Sequence, residues 1–183
     1  MKLHCHSVTR IMIALLLAGA LLILSGCILD VIQPETADAG QPFQALVKID
    51  PEVTGTYPIY MGVRMPSDWQ MVGAPVYTDG LTGTLTYSPT AVALLEEEYG
   101  IVTGTTWWAG AGPSIPVTKG VTVTIQAEIE SSIHASGVYT LVYADGVHTG
   151  STIIWHDSDY LSWRPITITA YSGTFQYLPV IIR

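Results

Sequence analysis

The sequence has 183 residues, 49% of them apolar and 12% charged, with a formal net charge of −8. That balance excludes the basic footprint a nucleic-acid surface requires. Its only two cysteines, Cys5 and Cys27, cannot form a thiolate zinc cage.

The first ten residues hold Lys2 and Arg10 and no acid, the charge pattern that stays on the cytoplasmic side during insertion. Residues 11–24 form an apolar run of 14. A membrane span needs about 20, so the run suits the hydrophobic region of a signal peptide. Leu24-Ser25-Gly26-Cys27 follows, an aliphatic residue and two small ones before a cysteine. This leader resembles that of bacterial lipoproteins. The resemblance implies cleavage before Cys27 and a diacylglyceryl group on its thiol, with an N-acyl chain as the second anchor. Cys27 would be the only mature cysteine, and Ile28 after it is not acidic, so the membrane leaflet stays open. The mature chain carries five basic residues against fifteen acids, a net −10. Such a charge disfavours anionic lipid heads.

Residues 28–42 mix Pro, Gly and small polar side chains and read as a tether. The expected division is a signal peptide over 1–26, a lipidated tether over 27–42 and a β-domain over 43–183. Thr, Val, Ile, Tyr and Gly dominate that domain, and turn signals recur at the spacing of an all-β sandwich. Strands are expected over 43–49 and 57–65, and weaker ones over 72–77 and 81–87. Ser88-Pro89 caps a helix over 91–99 that Gly100 closes, with Glu96, Glu97 and Glu98 on a solvated face. Residues 121–130 alternate strictly, Val121, Val123, Ile125, Ala127 and Ile129 facing one way. Strands over 137–144 and 151–155 are expected to pair through Ala144-Asp145-Gly146, since Asp-Gly supplies a tight turn. A last alternation spans 164–170.

Three phrases resemble secreted bacterial immunoglobulin-like modules: PETADAGQPFQALVKI at 34–49, GVRMPSDW at 62–69 and SGVYTL at 136–141. The resemblance implies an immunoglobulin-like β-sandwich with one short helix, and it brings no catalytic residue. The tail YLPVIIR at 177–183 resembles a signature of exported proteins of Chloroflexota. The favoured structural reading of the tail is a final edge strand broken by Pro179.

Two groups are candidate sites. His156, Asp157 and Asp159 lie in an expected loop, with Asp145 and His148 across the hairpin. Calcium would need six to eight oxygens, and neither EF-hand nor zinc spacing is present. Polar loop residues are the simpler account. Trp107 and Trp108, in the Gly-rich stretch GTTWWAGAGP, can stack on a sugar or plug a core. On a strand at most one of the two points into the core. Glu128 and Glu130, about 6.7 Å apart on one strand face, fall in the range of a glycosidase pair, but on a wet face with no cleft implied.

No Gly-x-Ser-x-Gly elbow, His-Glu-x-x-His or phosphate-cradling loop occurs. The expectation is a membrane-anchored, extracytoplasmic, non-catalytic binding or adhesion module. Its partner would be an envelope protein or a glycan, with no cofactor besides the lipid on Cys27. A structural accessory of an envelope complex and a hydrolase with a discontinuous site are the alternatives.

Overall fold

A computed structural model of the protein describes residues 27–51, 54–78, 82–149, 152–156 and 161–170. In chain order the elements are β1 (Cys27–Ile32), β2 (Thr36–Asp38), β3 (Pro42–Asp50), β4 (Gly55–Pro66), β5 (Gln70–Met71), β6 (Val76–Thr78), β7 (Thr82–Thr84) and β8 (Thr86–Tyr87). They continue with α1 (Pro89–Tyr99), β9 (Thr105–Val117), β10 (Val123–Glu130), β11 (Gly137–Thr149), β12 (Thr152–Trp155) and β13 (Ser162–Thr169).

Two sheets result. The first runs β1-β3-β10-β6-β7 with β5 on β10, and the second runs β2-β13-β11-β4-β9-β8 with β12 on β11. Alternation along β3 and β10 turns Val47, Ile125 and Ile129 inward, where they meet Met61, Val63 and Leu141 of the second sheet. All six are fully buried. This is the packing a period of two dictates when two sheets each bury one face.

The helix packs on the outside of the second sheet. Ser88 caps it, accepting the Ala91 N–H on its side-chain oxygen, and Gly100 ends it at φ 75°. Leu95 and Ala91 then bury a second apolar cluster with Tyr60, Trp107, Val142 and Trp155. Close approach explains two glycines of β4 and β11. A Cβ on Gly62 would lie 2.6 Å from Leu95 Cδ1, and one on Gly146 would lie 2.8 Å from the Trp155 ring.

Three expectations are corrected. The segment expected as a tether is folded: β1 pairs antiparallel with β3 from Cys27↔Asp50 to Ile32↔Leu46, and β2 pairs parallel with β13. The sandwich therefore starts at Cys27 and not at residue 43. Pro and Gly between the short strands gave the stretch a loop's composition, while Val31 turns inward and is buried. Secondly, Ala144-Asp145-Gly146 is no turn. β11 runs straight through it, and β12 pairs with Gly146 to Thr149. Gly146 is not among the positive-φ glycines; it serves the approach of Trp155. Thirdly, Val121 lies outside β10 and is half exposed. The 72–77 expectation is met only at its end by β6, and the 81–87 expectation resolves into the short strands β7 and β8.

Candidate functional site

Cys27 opens an edge strand, and its register partner Asp50 ends β3. The same pole of the sandwich carries Gly55 paired to Val117, and Thr149 paired to Thr152. The opposite pole carries Pro42 paired to Glu130 and Thr105 paired to Pro66. Cys27 thus lies at the first of these poles, and the loops of the second lie at the far end of the sandwich.

A polar chain fastens β1 and the link after it to the second sheet. Tyr143, fully buried, donates its hydroxyl to Gln33 Oε1 at 2.8 Å. Gln33 Nε2 donates to the Pro165 carbonyl at 3.2 Å, and Arg164 pairs with Asp30 at 2.8 Å. Burial pushes the Tyr143 phenol well above its usual range, and the Arg164 charge works against that shift. The Arg164–Asp30 pair is partly exposed, so it positions β1 more than it stabilises the fold.

The two tryptophans obey the strand alternation, and the one that turns away from the core is covered by the helix. Trp108 turns to the side between the sheets, half-buried beside the main core, with its ring 6.2 Å from Tyr87. Trp107 turns to the outside of the second sheet and is only 4% exposed, because α1 lies over it. The helix was expected, but nothing local in the sequence says which sheet face it covers. Neither ring is a free platform.

Of the candidate metal group, only His156 and Asp145 have described side chains. His156 is buried, and its Nδ1 lies 2.9 Å from Asp145 Oδ1, itself buried in mid-strand. The His156 N–H also donates to the Asp145 carbonyl, and the Tyr99 hydroxyl donates to the His156 carbonyl. The pair thus pins the end of β12 to β11 and to the helix. Asp157 and Asp159 lie outside the described residues, and the His148 side chain is likewise not described. Among the described residues no group of three or more potential metal ligands is brought together. Glu128 and Glu130 stand on the outer face of β10, and Glu130 accepts a hydrogen bond from Gln70 at 2.8 Å.

A different constellation forms on the outer face of the second sheet. Register places Trp107 opposite Arg64, Arg64 opposite Val142, and Val142 opposite Trp163. One row of side chains therefore crosses β9, β4, β11 and β13. The Arg64 guanidinium carbon sits 5.5 Å from the centre of the Trp107 ring and 5.3 Å from that of Trp163. Both distances are within cation–π range. Trp163 is 54% exposed. Among the described residues Arg64 has no ion pair or hydrogen bond, and partial burial lowers its pKa from the usual value. Arg64, Trp107 and Trp163 are far apart in sequence. Only the strand register, a non-local property, could have found them.

No family model and no curated protein matches the sequence. Solved structures do match. The chain is similar to AvmM, which catalyses macrocyclization in alchivemycin A biosynthesis, at 9% identity and a TM-score of 0.51, over 83% of this chain and 94% of that one. It is similar to a cohesin module from a Clostridium perfringens family 33 glycoside hydrolase, at 12% identity and a TM-score of 0.52, over 81% and 99%. A Streptococcus suis SadP variant matches at 10% identity and a TM-score of 0.50, over 79% and 87%. At such identities the likeness defines the fold class alone: an immunoglobulin-like β-sandwich with one short helix.

Proposed function

We propose that the protein is a lipid-anchored, extracytoplasmic, non-catalytic binding module. The observation that carries this reading is the position of Cys27. The cysteine of a lipobox-like stretch is the first residue of an edge strand at one pole of the sandwich. An acyl anchor there leaves the opposite pole and the outer sheet faces turned to the surroundings. Strand β1 reaches the domain without a spacer, so the module works against its membrane and not at the end of a flexible arm.

The non-catalytic part of the reading is supported by how the titratable core residues are used. Asp145 and His156 face each other and tie β12 to β11, and Tyr143 is spent on Gln33. The cohesin module and the SadP variant share the fold. AvmM performs catalysis on it, so the site and not the fold must decide. A second reading, an accessory subunit held by strand addition, is favoured by β9. Among the described residues its outer edge is paired only at Gly110 and Ala111, by β8.

Fractionation of cells expressing the wild-type chain and Cys27→Ser tests the anchor. Wild type is expected in the detergent-rich phase, and Cys27→Ser is expected unprocessed or in the aqueous phase. A Cys27→Ser protein that stays membrane-bound and fully processed would falsify the proposal.

A further inference from the structure

Among the described residues the side chains of Arg64 and Trp163 make no hydrogen bond or ion pair, and they meet each other across the sheet. Of the described basic side chains, Arg164 is engaged with Asp30. Among the described residues Arg64 has no ion pair, in a sequence that carries fifteen acids. It is nevertheless half-buried and held in place by two indoles. Cation–π contact engages the guanidinium through the ring faces, and its planar fork of five N–H donors is the group that receives a carboxylate edge-on. We propose that Arg64 and Trp163 form a binding site for a carboxylate-bearing sugar, a uronic-acid-type residue of a glycan. This deepens the binding-module reading and rests on it.

The chemistry on either side of the stack favours a sugar. Trp163 offers a flat, half-exposed indole, a surface on which the C–H face of a pyranose stacks. Exposed Thr140 and Thr167 stand on the same sheet face as Trp163, one and two outward positions along the paired strands. Their hydroxyls can serve the sugar's own. An extended acidic peptide gains less, because it binds to sheets through backbone hydrogen bonds. Here β11 and β13 already pair with each other from Gly137↔Ile168 to Tyr143↔Ser162. Trp107, buried under α1, acts as a positioning residue that holds Arg64 from behind.

The test uses the full-length chain in detergent micelles, titrated calorimetrically with trigalacturonate, with a neutral galactose trisaccharide and with hexaglutamate. Trigalacturonate is expected to bind at least about tenfold more tightly than either of the others, a difference of about 1.4 kcal/mol. Arg64→Gln and Trp163→Ala should each weaken that binding by about tenfold or more, Arg64→Lys should lose less, and Trp163→Tyr should keep most of the affinity. Melting curves of all variants establish that each is folded, and the retained affinity of Trp163→Tyr separates loss of a platform from loss of the fold. No uronate binding, equal affinity for the neutral sugar or the peptide, or affinity indifferent to Arg64→Gln and Trp163→Ala would each overturn the assignment. Detergent partitioning of the same preparations reads the anchor separately. Failure of sugar binding in a partitioning protein thus removes this site and leaves the proposed function standing.

Discussion

The outer face of the second sheet divides into two halves that differ in their neighbours and not in their backbone. Beside the larger Tyr60, Trp107 and Val142, the outward residues over β4, β9 and the far half of β11 are Gly62, Ala109, Ala144 and Gly146. Their small side chains let α1 settle close enough for Leu95 to be fully buried. Over β13 and the near half of β11 the outward residues are Val138, Thr140, Trp163, Pro165 and Thr167, all exposed. Arg64 stands on the seam, with one indole from each half against it. The comparison teaches that side-chain size along a strand decides where a helix can dock. What remains uncovered beside it is then available for a ligand.

The covered half should be the sensitive one. Leu95→Ala empties a fully buried position between helix and sheet, and we expect a loss of about 3 kcal/mol in a denaturant melt, within the range of such truncations. A loss below about 1 kcal/mol would mean that the helix is loosely held. Asp145→Ala removes the buried partner of His156 and frees the strand that carries Trp155. A loss of about 2 kcal/mol is expected by the same measurement, in line with hydrogen bonds to charged groups. Unchanged stability would remove the pin from the account.

The interior beneath the open half responds to pH. The Tyr143 phenol is pushed up by burial, so the folded state holds its proton more tightly than the unfolded chain does. That stabilisation is complete below the unfolded tyrosine pKa of about 10 and is lost as pH rises above it. The melting temperature should therefore fall on the alkaline side of about pH 10, and Tyr143→Phe should blunt that fall while losing about 1 kcal/mol at neutral pH with the Gln33 bond. A Tyr143→Phe melting profile parallel to wild type across that range would contradict this. The smallest effect belongs to the open surface itself. Trp163→Ala should leave stability within about 0.5 kcal/mol, as for most exposed positions. A much larger loss would show that Trp163 is part of the core and not a platform.

Local physics was legible in the sequence wherever neighbours along the chain decide the outcome. The alternation from Val123 to Glu130 and the cap at Ser88-Pro89 both appear where the pattern placed them. Asp145-Gly146 misled because the pair has the chemistry of a turn. The glycine is there for the Trp155 ring, which arrives from a strand several residues on. The segment after Cys27 misled because β1 and β2 are short and separated by a proline. Their pairing partners lie in β3 and β13. Trp107 and Trp108 were rightly split between two faces, but the helix over one of them is a tertiary fact. Trp163 and Arg64 could not be paired from the sequence, because they meet only across three strands.

Cys27 is the proposed anchor of both halves, and its chemical state is the most direct test of that proposal. The membrane fraction of cells expressing the full-length chain should be digested and its N-terminal peptide examined by mass spectrometry. The account predicts a peptide beginning at Cys27, carrying a diacylglyceryl group and an N-acyl chain. An intact leader joined to a free Cys27 thiol would contradict it.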